Sequence, residues 1–398
     1  MTAFVAEQSR RAPAALPAGP SLVGFSRYGT RTIPPLDGLR GTAALSLLAF
    51  HVYNTTSPNW ASGSPPPIRW FVSNLGQNGV SCFFVLSAFL LGMPFLTSAV
   101  GLTGRVDLHR YARARVLRLF PAWWIVLGVM AILWKTWVFA DPLALAQYIT
   151  LQQNYNPRLA QHVLAQGWTL GVEISFYLLL PVVAWGVGRV VQRVSRIGLR
   201  AAALLVALAV TLGVTYLIEA YLVRHDHLAG IDRPWLRHSL AFYGDRFALG
   251  LLCAAIFIEM RRRSAFLNPG LLLSFGAAVF VVGVWANPVH REQYATAGSA
   301  AVLMTLAVGE RTLLGRLFSS SPMRWLGRLS YGIYLWHLPL KYVGGRVGLF
   351  PGRTPWATVP CIIGLAVAST AIAYVSYVAI ERPALGLVDR RRAKRAGG

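Results

Sequence analysis

Acidic side chains are scarce in this chain of 398 residues, where 14 Asp and Glu stand against 38 Lys and Arg. Charged residues make up only 13% of the total and hydrophobic residues 55%, with a mean hydropathy of +0.50. So little charge excludes an ordinary soluble domain of this size, and the composition predicts a membrane protein. The formal net charge of +24 would suggest a nucleic-acid partner in a soluble chain, so the positions of the basic residues must decide between these classes.

Cysteine is also scarce. Cys82, Cys253 and Cys361 each lie in an apolar run, at spacings that fit neither a disulfide framework nor a metal site, so we expect no bound metal. The first 30 or so residues are rich in Ala, Pro, Ser and Arg and lack the continuous apolar core of a secretory signal. We interpret residues 1–33 as a disordered cytoplasmic tail.

Long apolar runs separated by short polar segments dominate the rest of the chain. Windows of about 18 to 25 residues, the length that crosses a bilayer as a helix, predict ten spans. They cover residues 39–54, 75–97, 116–139, 168–187, 201–223, 239–258, 271–286, 295–308, 326–343 and 356–380. We therefore expect an all-α integral membrane protein of about ten transmembrane helices, with a transmembrane domain over 34–383 and a basic cytoplasmic tail over 384–398.

The basic residues are distributed unevenly between the two sides of these spans. With the amino terminus inside, about 27 of the 38 fall in inner segments and about 9 in outer segments. The positive-inside rule then predicts a multi-pass protein of the cytoplasmic (inner) membrane with both termini cytoplasmic. The same asymmetry explains the net charge without nucleic acid.

The first predicted span carries an arginine at its entrance and a histidine near its far end. Arg40 and His51 are eleven residues apart, so on one helix they lie about 16 Å apart along the axis and within about 20° of the same face. A histidine inside a membrane is energetically costly, which makes His51 a candidate functional group. The alternative is a packing histidine whose ring is satisfied by a neighbouring helix.

Two further arginines lie at the start of the third span. Arg115 and Arg118 are three residues apart and share a helical face near the predicted inner surface. Guanidinium groups in such a place suit an anionic ligand with several phosphates. Ordinary positive-inside charge or contact with anionic lipid is the alternative.

An acidic residue lies inside the fourth span. Glu173 is about two turns into an otherwise apolar helix, where a carboxylate should face the bundle interior. By depth it could meet His51, and a carboxylate beside a histidine is the pairing of a general base held in one orientation. A structural contact between helices is the alternative.

Several other polar residues are candidates for substrate contact or structural support. For the polar residues of the ninth span we favour a structural or acceptor-lining role. The Asp245–Arg246 pair in the sixth span is most simply a polar pair inside the bundle. The supporting candidates are Asp37, Trp168, Tyr177, Arg246, Ser330, Tyr334 and His337.

These residues together resemble the membrane-bound acyltransferase-3 family, whose members O-acylate bacterial polysaccharides, glycolipids and macrolide antibiotics. Residues 36–41 with His51 match the family's signature of an arginine and a histidine separated by ten residues. Further matches cover residues 79–90, 115–123, 168–181, 329–337 and 381–383. The chain departs from the usual pattern at Ala88, where the family has Gly, and at Ser81 and Ile174, where acidic residues are frequent.

The resemblance implies an O-acyltransferase that uses cytoplasmic acyl-CoA, most simply acetyl-CoA, as donor substrate and binds no permanent cofactor. Arg40, Arg115 and Arg118 would hold the nucleotide phosphates. His51 would act as general base on an acceptor hydroxyl or carry a covalent acyl group, and Glu173 would orient His51 or bind the acceptor. Many members carry a fused soluble transferase domain; here we expect a membrane bundle alone, in which the acceptor binds within the bundle or on a separate extracytoplasmic partner.

Two other functional classes stay open from the sequence. A polytopic transporter of a glycolipid or acylated metabolite would share the helices and the charge asymmetry, although we find no convincing internal repeat. An inert scaffold would make His51 and Glu173 dispensable. A homo-oligomer is compatible with each of these functions.

Overall fold

The computed structural model describes residues 33–56, 66–134, 136–159, 162–226, 234–286, 291–349 and 355–387. Within these ranges the regular structure is helical, without strands. Residues 1–32 of the predicted amino-terminal tail lie outside the described residues, and so do residues 388–398 of the predicted basic tail. The α-helices are α1 Pro34–Thr56, α2 Pro66–Ala99, α3 Leu108–Leu133, α4 Pro142–Ile149, α5 Gly167–Val191, α6 Ile197–Asp226, α7 Pro234–Arg237, α8 Leu240–Arg263, α9 Pro269–Ala286, α10 Arg291–Val308, α11 Leu313–Phe318, α12 Ser321–Arg346 and α13 Pro355–Ser376.

Six helical segments of the described chain are long and apolar enough to cross a membrane. They are Asn78–Ala99, Leu108–Leu133, Gly167–Val191, Ile197–Arg224, Leu240–Arg263 and Thr358–Leu387. The described part of the chain is thus all-α, with helices suited to a multi-pass membrane protein. Passage of α1, α9, α10 and α12 through the membrane stays a prediction, as does the cytoplasmic position of both termini.

The ten predicted spans each overlap one long helix, with one clear error in the limits. The third was predicted to continue to residue 139, but α3 ends at Leu133 and a separate 3₁₀ turn follows at Trp137–Phe139. The apolar window could not detect this break because both segments are apolar. At the other end, Asp107 caps α3 by accepting a hydrogen bond from the Arg110 backbone N–H at 3.0 Å. This start places Arg115 and Arg118 about two and three turns into the helix.

Small residues bring α1 and α12 into close contact. A Cβ added to Gly41 would lie 2.9 Å from the Gly327 backbone nitrogen, and one added to Gly327 would collide with the Asp37 carbonyl. Glycine at both positions therefore lets the two backbones approach, as small residues do between membrane helices. Beyond this contact, Leu48 and Ile333 are fully buried in a shared apolar cluster, which holds the later turns of the two helices together.

A buried ion cluster joins α6, α8 and α10. The Arg246 guanidinium is fully buried and donates hydrogen bonds to Glu219 at 2.6 Å, Asp245 at 2.7 Å and Glu292 at 2.9 Å. The predicted Asp245–Arg246 pair inside the bundle is confirmed, and the structure adds two carboxylates from other helices. Pairing of this kind is what a buried charge requires.

Candidate active site

Three arginines from two helices meet near the beginning of α1. Arg40 lies within electrostatic range of Arg118, and Arg115 within range of Arg118 as well. The nearest carboxylate oxygen to Arg40 is that of Asp37, at 3.7 Å. Arg115 lies over the Tyr177 ring, 5.9 Å from its centre, and its buried Nε has no hydrogen-bond partner. The structure thus brings together the three arginines that the sequence singled out.

Arg40 forms one long ion pair with Asp37, at 3.7 Å, in the described part of the chain. Across the described ranges, none of the three guanidinium groups donates a hydrogen bond to a backbone or side-chain oxygen, in contrast to Arg246 with its three carboxylates. Converging like charges repel each other, and unpaired buried donors cost free energy. An arrangement of this kind is stabilised when a multivalent anion supplies the missing acceptors.

Glu173 belongs to this arginine group. Its Oε1 accepts a hydrogen bond from Ser87 Oγ at 2.6 Å and another from the Tyr177 hydroxyl, one turn along α5. It lies within electrostatic range of Arg40 and Arg115. The expected pairing of Glu173 with His51 is therefore wrong. Apolar windows estimate the depth of a residue but not the rotation of its helix, and the rotation of α5 turns this carboxylate towards α2 and α3.

The partner of His51 is a second histidine. His51 Nδ1 lies 3.2 Å from His337 Nε2 on α12, and the two ring centres are 5.0 Å apart. His51 Nδ1 also lies 2.9 Å from the Leu47 carbonyl oxygen, and His337 Nδ1 lies 2.6 Å from that of Tyr334. His337 is fully buried. The sequence identified both histidines but not their contact, which depends on the close approach of α1 and α12.

The beginning of α5 supports this histidine pair. The Tyr334 hydroxyl donates to the Gln166 carbonyl at 2.5 Å and also contacts the Thr169 hydroxyl, while Gln166 Nε2 donates to the Leu335 carbonyl at 3.0 Å. Gln166 and Thr169 were missed by the sequence reasoning, since short polar side chains beside an apolar run give no distinctive pattern.

Lys341 was also missed. It lies one turn beyond His337 on α12 and within electrostatic range of both histidines. It could have been noticed as one of the three lysines of the chain.

The remaining candidates are dispersed. Trp168 stacks on Tyr243 with ring centres 5.0 Å apart and lies 4.9 Å from the His238 ring. Ser330 donates to the Gly327 carbonyl of its own helix at 2.9 Å, and Arg246 belongs to the carboxylate cluster. Their contacts account for them as parts of the packed bundle, and their suggested part in substrate binding stays a prediction.

Comparison with known proteins finds relatives among bacterial O-acetyltransferases. YrhL of Bacillus subtilis, provisionally named a peptidoglycan O-acetyltransferase, is 28% identical over 388 residues, covering 89% of this chain and 55% of that protein. The peptidoglycan O-acetyltransferase OatA of Listeria monocytogenes is 25% identical over 390 residues, covering 90% and 56%. The O-acetyltransferase OatA of Staphylococcus aureus is 24% identical over 357 residues, covering 81% and 54%. The chain spans about half the length of these relatives.

The family comparison covers most of the chain. Among solved structures, none matches this chain. The family model described as an acyltransferase domain matches residues 33–378, which include the three arginines, Glu173 and both histidines. The resemblance inferred from the sequence motifs is thereby confirmed: the chain belongs to the membrane-bound acyltransferase-3 family.

Proposed function

We propose that this protein is an integral-membrane O-acyltransferase that moves an acyl group, most simply acetyl, from cytoplasmic acyl-CoA to a hydroxyl of a sugar-containing acceptor. The names of its relatives make peptidoglycan the first acceptor to test, ahead of a glycolipid or a macrolide. In this proposal the protein resides in the bacterial inner membrane with both termini in the cytoplasm.

One observation carries the proposal. Three arginines without a hydrogen-bond acceptor among the described residues gather at the beginning of a helix that bears a half-buried imidazole eleven residues after Arg40. At about 1.5 Å per residue, Arg40 and His51 are roughly 16 Å apart along the axis of α1. That separation suits a donor with phosphates at one end, a flexible pantetheine arm and a thioester at the other.

The arginines would hold the donor by its phosphates. Guanidinium groups match phosphate oxygens in geometry and charge, and Arg115 offers a buried Nε–H without an acceptor. Binding would relieve the repulsion among Arg40, Arg115 and Arg118. In the proposed topology this group lies on the cytoplasmic side, where acyl-CoA is made.

His51 would serve as the general base. Its ring takes the proton of the acceptor hydroxyl while that oxygen forms a bond to the thioester carbonyl carbon. Collapse of the tetrahedral intermediate breaks the carbon–sulfur bond, and the proton passes from His51 to the sulfur. The products are an ester and free CoA thiol, with no net gain or loss of protons.

A covalent route uses the same residue. His51 would attack the thioester carbonyl to form an acyl-imidazole and release CoA, and the acceptor hydroxyl would then take the acyl group. The two routes differ in what accumulates without acceptor. The protein is incubated with radiolabelled acetyl-CoA without acceptor and then denatured. Label stays on His51 only in the covalent route.

The proposal is tested with the full chain in proteoliposomes. Radiolabelled acetyl-CoA is supplied with soluble peptidoglycan fragments, and mass spectrometry follows the gain of one acetyl group on the glycan. We expect transfer by the unmodified protein and a loss of about 10²- to 10⁴-fold in kcat in His51→Gln. Full activity in His51→Gln would overturn the role of His51, and flux of a glycan across the vesicle without acyl transfer would favour a transporter.

A further inference from the structure

We infer that His337 is a positioning residue that holds His51 with its hydrogen on Nδ1 and its lone pair on Nε2. This inference rests on the proposed function, since it assigns the tautomer that a general base at His51 needs. It follows from the donors and acceptors around the two rings.

The Leu47 carbonyl decides which ring nitrogen of His51 carries hydrogen. Its Nδ1 lies 2.9 Å from the Leu47 carbonyl oxygen, which can only accept a hydrogen bond. A bare nitrogen at that distance would direct a lone pair at another lone pair. Nδ1 of His51 therefore carries hydrogen, and in the neutral ring Nε2 carries the lone pair.

The neighbours of His337 decide its tautomer in the same way. Its Nε2 lies 3.2 Å from the His51 Nδ1–H, so it must accept, because two N–H groups cannot point at each other at that distance. Its Nδ1 lies 2.6 Å from the Tyr334 carbonyl and must donate. Both requirements are met by one neutral tautomer of His337. The chain of donors runs from His51 through His337 to the Tyr334 carbonyl without a mismatch.

Burial and contacts between helices keep His337 in place. Its side chain is fully buried, and the tyrosine that supplies its acceptor is tied to the beginning of α5 through Gln166 and Thr169. The close contact of α1 with α12 at Gly41 and Gly327 sets the distance between the two rings. His337 thus takes a place that a carboxylate fills in many general-base pairs, while the carboxylate of Glu173 stays with the arginines.

The arrangement has a consequence for the chemical step. When Nε2 of His51 takes a proton, the positive charge that develops spreads to Nδ1–H. That hydrogen already faces the Nε2 lone pair of His337 and the Leu47 carbonyl, so both acceptors stabilise the charged ring. Lys341 lies within electrostatic range of both rings, and its contribution has to be separated from that of His337.

A matched pair of variants separates the two functions of His337. His337→Gln can place a carbonyl oxygen near the position of Nε2 and still accept from His51. His337→Asn can donate to the Tyr334 carbonyl but is too short to reach His51. If His337→Asn fails to fold, His337→Phe keeps an aromatic ring of similar volume without either nitrogen. Lys341→Gln is the control for the neighbouring charge.

The direct measurement is solid-state nuclear magnetic resonance of the full chain labelled with ¹⁵N-histidine in proteoliposomes. His51→Gln identifies the His51 signals among the eight histidines. We expect His51 to carry hydrogen on Nδ1 and not on Nε2 in the unmodified protein and in His337→Gln, and to show a mixture of tautomers in His337→Asn. Hydrogen on Nε2 of His51 in the unmodified protein would overturn the inference. This experiment requires no enzymatic activity, so its failure is distinct from failure of the proposed function.

Kinetics give the second measurement. We expect His337→Asn to lower kcat about 10- to 100-fold with little change in KM for acetyl-CoA, and His337→Gln to recover most of the loss. In a His51→Gln background the substitution at His337 should cause no further loss, because it acts through His51. If the substitution at His337 lowers kcat equally with and without His51, or raises KM, His337 has a structural role and the inference is overturned. Such a result would leave acyl transfer itself intact.

Discussion

Glu173 of α5 accepts a hydrogen bond from Ser87 of α2, with 2.6 Å between the two oxygens. This contact holds the carboxylate within electrostatic range of Arg40 and Arg115. The negative charge partly neutralises the arginine group in the absence of a ligand. Glu173 therefore competes, by its charge, with the phosphates that the proposed donor would bring.

Replacement of Glu173 by Gln is expected to tighten donor binding. Glutamine keeps an oxygen for Ser87 and Tyr177 but removes the charge near Arg40 and Arg115. We expect the KM for acetyl-CoA and the inhibition constant of CoA to fall about 3- to 10-fold. Both are measured in steady-state assays. A lower kcat with an unchanged KM would instead return Glu173 to a direct role in the chemical step.

Loss of an arginine from the group is expected to weaken donor binding without changing the chemical step. Arg40→Gln and Arg115→Gln should each raise KM for acetyl-CoA about 10- to 100-fold, since each removes a charge-assisted hydrogen bond to phosphate. Arg105→Gln, at an exposed position before α3, serves as the control. If all three substitutions weaken binding equally, the effect is one of general surface charge and the assigned site is wrong.

The contact between α1 and α12 is expected to be intolerant of added volume. Gly327→Ala introduces a Cβ against the Asp37 carbonyl and should cost about 1 to 3 kcal/mol of stability. It should also lower kcat, because it separates the helices that carry His51 and His337. Gly128→Ala meets nothing within 4 Å and should be neutral or slightly stabilising. Thermal unfolding in detergent, with activity measured in parallel, compares the two variants.

Removal of the buried arginine is expected to destabilise the bundle strongly. Arg246→Gln leaves Glu219, Asp245 and Glu292 without their shared cation and should cost about 3 to 5 kcal/mol. Adding Asp245→Asn to that variant should recover part of the loss, because it removes one of the opposed charges.

The control for this prediction is Arg262→Gln. It breaks a partly exposed pair with Glu259 and should cost no more than about 1 kcal/mol. Chemical unfolding of the variants, followed by tryptophan fluorescence, measures the differences. Equal stability of Arg246→Gln and Arg262→Gln would show that the buried cluster contributes no more than a surface pair.

The sequence alone determined the class of the protein, the approximate course of its helices and the polar residues that lie inside them. Each of these conclusions depends on local information. Apolar runs of bilayer length predict helices, and an arginine or histidine inside such a run stands out by its cost. The spacing of Arg40 and His51 follows from helix geometry, and the motif order along the chain led to the correct family.

Only the tertiary structure decided which polar groups face each other. Glu173 and His337 were both visible in the sequence, yet the carboxylate joined the arginines and the second histidine joined His51. The reason is that helix rotation and neighbour choice depend on packing between distant segments, here on the glycines that bring α1 against α12. The same dependence brought Glu219 and Glu292 to Arg246 from helices that no local pattern connects.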